Sequence, residues 1–244
     1  MDLPRPYYED SLVQIFHGDC RELLPSIEAD VIVTDPPYGI GYTSGMGGKF
    51  LNAAITGDDD SRLRDDVLRE WRGPALVFGT WKIIRPPATR HVLIWEKGDH
   101  VGMGDLATPW RPNIEEIYVI GSGFVGHRGT SVLRYNAPSP NFTPPQFRYH
   151  PTEKPVALMR DLIGKCPPGT ILDPFMGSGT TLVAAKSLNR HAIGIEIEEK
   201  YCAIAAQRCR QAVLGLGIDE GMVQSEHEQM GGWTDSVLDK GGSR

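Results

Sequence analysis

Seven short runs rich in β-branched and other apolar residues recur along the chain, at 12–16, 30–34, 75–78, 91–95, 116–120, 170–172 and 192–195, each closed by Gly, Asp or Pro nearby. Helical periodicity fills several of the gaps, over 59–72, 155–165, 180–188 and 198–214. Runs that are apolar on both faces suit strands buried on both sides, and parallel neighbours need a crossover, usually a helix. The alternation therefore predicts an α/β fold, a doubly wound and mostly parallel sheet of seven strands with helices on both faces.

The 244 residues fit one domain, read as a folded unit over 1–217 followed by a polar, Gly-rich tail over 218–244. No apolar run approaches the roughly 18 residues of a membrane span, and the first ten residues lack the basic start and apolar core of a secretory signal. Cys20, Cys166, Cys202 and Cys209 form no C-x-x-C pair, which predicts reduced thiols, no metal site and a cytoplasmic protein. Two stretches, 39–57 and 121–150, are rich in Gly, Ser, Thr or Pro and read as long loops, a length usually tied to function or disorder.

Chemistry concentrates at two strand ends. The run Val31-Ile-Val-Thr leads into Asp35-Pro36-Pro37-Tyr38. The two prolines fix φ and remove two N–H donors, leaving carbonyl acceptors held in place. Asp35 adds a carboxylate acceptor and Tyr38 a flat face for stacking, a set suited to a planar exocyclic amine. A tight turn with a capping Asp is the plainer reading of the same four residues. The second run, Thr170-Ile-Leu-Asp173, leads into Pro174-Phe175-Met176-Gly177-Ser178-Gly179-Thr180-Thr181 and then a helix. A strand, a Gly-rich turn and a helix N-terminus make a nucleotide-type binding site. The turn lacks the third glycine of a dinucleotide fingerprint and the lysine of a P-loop. About 20 residues on, the next strand ends in Glu196, where a carboxylate can take the two hydroxyls of a ribose.

In order, DPPY at 35–38, HPTEKP at 150–155 and DPFMGSGTT at 173–181 resemble the DNA amino-methyltransferases that act on adenine N6 or cytosine N4 with S-adenosylmethionine. The catalytic motif precedes the cofactor motif, as in the permuted "beta" group, and the resemblance spans 12–214. It implies a Rossmann-like sheet in circularly permuted methyltransferase order. It implies that Asp35, Pro36, Pro37 and Tyr38 hold and stack the target base. Asp173, Pro174, Phe175, Gly177, Ser178, Gly179 and Thr180 would border the cofactor, Glu196 would take its ribose, and Asp19 would lie at its adenine. Thr152 and Lys154 match a segment that closes over the cofactor. Trp95 and Lys97 match a W-x-K strand end near the base pocket. Asp at the first position of the motif favours adenine N6, with cytosine N4 as the alternative. The implied partner is double-stranded DNA; a homodimer and a paired restriction endonuclease are compatible with it, and no membrane is required.

A net charge of −6 at first argues against nucleic acid, because phosphate binding normally needs a Lys/Arg excess. The charge is uneven, however. Residues 1–110 carry 11 basic and 17 acidic side chains, residues 111–190 carry 9 and 5, and residues 191–244 carry 5 and 9. The basic stretch contains Arg128, Arg134 and Arg148 interleaved with aromatic residues, which predicts that 121–150, with 39–57, contacts DNA. Only about 30 residues are available there, a short reading element for this family.

Overall fold

The computed structural model describes residues 3–38, 62–99, 101, 102, 104, 106–138 and 153–213. The loop at 39–57, the 139–150 part of the loop at 121–150, and the tail at 218–244 lie outside the described residues.

Among the described residues, nine strands form one sheet: β1 (Tyr8–Glu9), β2 (Val13–His17), β3 (Val31–Thr34), β4 (Ala75–Gly79), β5 (Thr89–Glu96), β6 (Ile114–Ile120), β7 (Val132–Arg134), β8 (Ile171–Asp173) and β9 (Ala192–Glu196). Their order is β1-β2-β9-β8-β3-β4-β6-β5-β7. All seven expected strands are present, and the sheet gains two. β1 pairs antiparallel with β2, and β7 pairs parallel with β5 inside a segment expected to be all loop. Strands of two and three residues are too short to show a period in sequence. Both sit at sheet edges, where brevity limits unwanted pairing.

The helices are α1 (Cys20–Leu23), α2 (Arg62–Glu70), α3 (Val156–Gly164), α4 (Thr180–Ser187) and α5 (Glu199–Val213). Alternate residues of each central strand feed two cores. Val31 and Val33 of β3 and Leu76 and Phe78 of β4 pack with Leu158, Leu182 and Ala205 of α3, α4 and α5. Ile32, Ala75 and Val77 face the other way, with Cys20 of α1 and Val67 of α2. The sheet is thus covered on both faces, as the apolar runs predict. Among the described residues no helix is long and apolar enough to cross a membrane.

Strands β2, β9, β8, β3 and β4 run parallel as neighbours. β6 runs against β4 and β5 against β6, so β5 and β7 point the same way as β4. The carboxyl ends at His17, Glu196, Asp173, Thr34, Gly79, Glu96 and Arg134 therefore lie along one edge, where open α/β sheets bind ligands. Strand β6 ends at the opposite edge, since Ile120 pairs with Ala75 and Thr89, the first residues of β4 and β5.

Candidate active site

Strands β3 and β8 are hydrogen-bonded neighbours, so their two motifs meet although distant in sequence. Thr34 Oγ1 donates to Asp173 Oδ1 at 2.7 Å and locks the two strand ends together. Asp173 is 2% exposed and also accepts from Thr181 Oγ1 at 2.5 Å and from the Phe175 N–H at 3.2 Å. Burial raises its pKa to about 6, against the pull of those hydrogen bonds. Asp173 is therefore the floor of the turn, with both oxygens engaged by this chain's own donors.

The turn above it depends on glycine. Gly177 has φ 51° and Gly179 φ 81°, both left-handed, and Gly179 is the N-cap of α4. A Cβ on Gly179 would lie 2.7 Å from Ala205 Cβ, so α4 and α5 pack closely only because it is absent. Glu196 closes the turn by accepting from the Gly177 N–H at 2.9 Å and the Glu198 N–H at 2.8 Å. Burial raises its pKa, with those bonds acting against the rise.

Ser178 and Thr180 are buried, and their oxygens face Arg208 Nη1 at 2.9 to 3.1 Å, while the other arm of Arg208 pairs with Glu153 Oε1 at 2.8 Å. Pro174 is buried as well, which leaves Phe175, Gly177 and Glu196 as the half-buried part of the turn. Asp19 caps α1 through the Arg21 N–H and pairs with the Arg21 side chain, just past the end of β2 that faces Glu196. Asp19, Phe175, Gly177 and Glu196 thus share one stretch of the carboxyl edge.

Asp35 emerges from β3 into a charge cluster that sequence does not reveal. Lys154 Nζ lies 2.6 Å from Asp35 Oδ2 and 2.9 Å from Glu115 Oε1. Lys97 Nζ lies 2.7 Å from Glu115 Oε2. The Tyr38 hydroxyl faces Asp35 Oδ1 at 2.7 Å and also Glu115 Oε1. Having one hydrogen, it serves one carboxylate at a time. The ammonium of Lys154 is also ringed by Phe78, Trp95 and Tyr38, at 4.9, 5.8 and 5.9 Å from the ring centres. Two carboxylates and two ammonium groups balance in charge, which burial requires.

Burial raises the Asp35 pKa, Lys154 opposes the rise and Glu115 adds to it. Burial would raise Glu115 too, but Lys154 and Lys97 outweigh it and hold the carboxyl down to about 2. Burial alone would lower Lys154, yet the two carboxylates raise it above the ordinary lysine value. Burial and both carboxylates push Tyr38 far up. The side chains of Lys154 and Glu115 are 7% and 9% exposed, whereas Asp35 keeps 23%. Asp35, with Lys97 at 21%, is where the cluster reaches the surface.

Several sequence expectations change here. Lys154 joins Asp35 rather than the Gly-rich turn, because the chain alternates direction there: Glu153 turns to Arg208 beside the turn and Lys154 to the cluster. Trp95 is 2% exposed, packs edge-on against Phe78 and donates to the Tyr135 carbonyl, so it belongs to the core. Lys97 pairs with Glu115 rather than standing free.

The expected reading loop divides. Residues 121–131 start at the edge opposite Asp35, and Val125 and His127 bond to Lys165 just past the end of α3, which carries exposed Arg128 away from the site. Arg134 does return to the carboxyl edge, where it pairs with Glu96 at 2.9 Å. Arg148 and Thr152 lie outside the described residues. Two segments that sequence reading passed over follow β4 and β5 at the carboxyl edge and carry exposed Trp81, Ile84, Leu106 and Trp110. The missed Glu115 had one faint signal: the pair Glu115-Glu116 opens a strand that is otherwise apolar.

The DNA methylase family N6_N4_Mtase matches residues 81–207. The chain is 30% identical to a protein of Escherichia coli (strain K12) named as the methylase YubD, over 80% of this chain and 89% of that one. It is 29% identical to the type II methyltransferase M.ScaI of Streptomyces caespitosus, covering 84% of each. Among solved structures, the M1.HpyAVI–SAM complex matches 81% of this chain and 98% of its own, at 26% identity and a TM-score of 0.59. The cytosine-N4-specific PvuII DNA methyltransferase shares the fold at 16% identity and a TM-score of 0.63, over 83% of this chain and 88% of its own. With its two strand-end motifs brought side by side on one edge of a doubly wound sheet, the chain belongs to the N6/N4 family of DNA methyltransferases.

Proposed function

We propose that the protein methylates the exocyclic amine of a base flipped out of double-stranded DNA, with adenine N6 as the target and S-adenosylmethionine as the methyl source. The observation that carries this reading is Asp35, a partly exposed carboxylate just past the end of β3, one strand from a Gly-rich turn closed by Glu196.

The residues fit that cofactor. It carries a ribose diol, a flat base and an amino-acid end, and no phosphate. Glu196 offers a carboxylate to the diol, Phe175 an apolar face, and the N-terminus of α4 the positive end of a helix dipole for a carboxylate. The solved M1.HpyAVI structure is a complex with SAM, which supports the assignment. When bound, the cofactor supplies an electrophilic methyl group on sulfur.

The chain's own residues do the rest. Asp35 accepts a hydrogen bond from the target amine and the Pro36 carbonyl offers a second acceptor, which draws the nitrogen lone pair out of the ring; the proton is shed once the nitrogen has gained the methyl group. Tyr38 stacks on the base and offsets part of the few kcal/mol that flipping costs. Positioning and fixed acceptors are the main catalytic means, and no nucleophile is needed. The four cysteines are all buried, and burial pushes Cys166, for one, up to about 12. Asp at the first motif position, as the family resemblance implies, favours adenine. Similarity to the type II methyltransferase M.ScaI supports duplex DNA as substrate and a partner endonuclease.

The test is mass spectrometry of nucleosides from duplex DNA incubated with protein and S-adenosylmethionine. N6-methyladenine is the expected product; N4-methylcytosine alone would move the target to cytosine, and methyl transfer only to RNA or protein would overturn the reading. Asp35→Ala should lower the rate about 100-fold or more while cofactor affinity stays within about threefold.

A further inference from the structure

If the cluster around Asp35 takes a target amine, its present contents bear on how the amine gains access. Asp35 presents two oxygens. One faces the Tyr38 hydroxyl and the other is held by the Lys154 ammonium at 2.6 Å. That ammonium nitrogen sits against a carboxylate and is ringed by Tyr38, Phe78 and Trp95. An amine nitrogen becomes cationic as it takes up a methyl group, and these surroundings favour a cationic nitrogen. Lys154 thus stands where the target nitrogen would be best served.

For the amine to reach Asp35, the ammonium must leave it, and a buried cation moved away from its partner needs another at hand. Glu115 Oε1 is already 2.9 Å away, and Lys97 holds the far oxygen of Glu115 at 2.7 Å, so the carboxylate stays turned toward Lys154. We propose that Lys154 occupies the place of the target amine in the free protein, and that Glu115 takes over its ammonium when the amine arrives. Glu115 is then a positioning residue: it touches no substrate and acts by freeing Asp35. The inference rests on the methyl-transfer reading of this site.

The test is steady-state transfer of labelled methyl from S-adenosylmethionine to unmethylated genomic DNA, with calorimetry of S-adenosylmethionine binding in the absence of DNA. Glu115→Gln leaves Lys154 with Asp35 as its sole carboxylate. It should raise KM for DNA about tenfold or more, with kcat and cofactor affinity within about threefold. In a Lys154→Met background there is no ammonium to relocate, so the same Glu115→Gln change should alter KM less than twofold.

An equal cost in both backgrounds, or none in either, overturns the proposal; a merely structural Glu115 would give the equal cost. Should Glu115→Gln fail to fold, Glu115→Asp keeps the charge and should stay within about threefold of wild type in KM. An Asp variant with a KM raised tenfold or more overturns the proposal. Wild-type protein that transfers no methyl to DNA would instead sink the underlying functional reading.

Discussion

At Asp35 a carboxylate keeps 23% of its side-chain surface open, whereas at Asp173, one strand over, both oxygens are turned inward to Thr34, Thr181 and the Phe175 N–H. The first can meet a ligand and the second organises the turn. This difference has a pH signature. Burial raises the folded pKa of Asp173 to about 6, above its ordinary value of 3.8. The folded state therefore binds this proton more tightly than the unfolded chain. The contribution is full below about pH 4 and is lost as pH rises through about 6. The rise from 3.8 to about 6 corresponds to about 3 kcal/mol. Asp173→Asn, which cannot ionise, should lack that loss. Denaturant titrations should show wild-type stability falling by about 3 kcal/mol relative to the variant between about pH 4 and 7. Equal pH dependence in the two proteins would remove Asp173 as the cause. In sequence, Asp35 and Asp173 look alike, each a strand-end Asp followed by Pro; burial alone separates their roles.

Among the elements, α4 ties the site to the fold. Its N-cap Gly179 has φ 81° and sits where any Cβ would press on Ala205 of α5 at 2.7 Å. Gly179→Ala should therefore cost about 3 kcal/mol, the sum of left-handed strain and overpacking, and weaken the closed turn under Glu196. Calorimetric unfolding with and without S-adenosylmethionine checks this; a variant with wild-type Tm would show that the turn tolerates a Cβ. The glycine turn was legible in sequence because it follows a strand and opens a helix. Strand β7 was not. Its three residues, Val132 to Arg134, become a strand because β5 offers an edge, with Trp95 opposite Leu133. Arg208 was equally hidden, being one of several charges along α5 until packing sets it against Ser178 and Thr180.

For the molecule as a whole, the excess negative charge lies in residues 1–110 and 191–244, and the middle segment is basic. Much of the basic charge at the carboxyl edge is already paired, Lys97 and Lys154 with Glu115 and Arg134 with Glu96. Among the described residues few cations at that edge remain for phosphate, so DNA binding should be modest and salt-dependent only through the contacts that remain. Raising salt from about 50 to 200 mM should weaken binding at least about tenfold in a fluorescence anisotropy titration. An affinity indifferent to salt would point to contacts other than phosphate, with exposed Trp81 and Trp110 on that edge the first to examine. The sequence by itself determined seven of the nine strands, the four longer helices, the two strand-end motifs and the family. Those signals are local: apolar runs, a Pro-Pro turn and left-handed glycines act within a few residues. Only the tertiary structure decided that Lys154 reaches Asp35, 119 residues away, that Thr34 binds Asp173, 139 residues away, and that 121–131 turns to the far edge. Those outcomes depend on which strands lie side by side and in which direction they run, and on the low dielectric between them that makes a buried charge seek its partner.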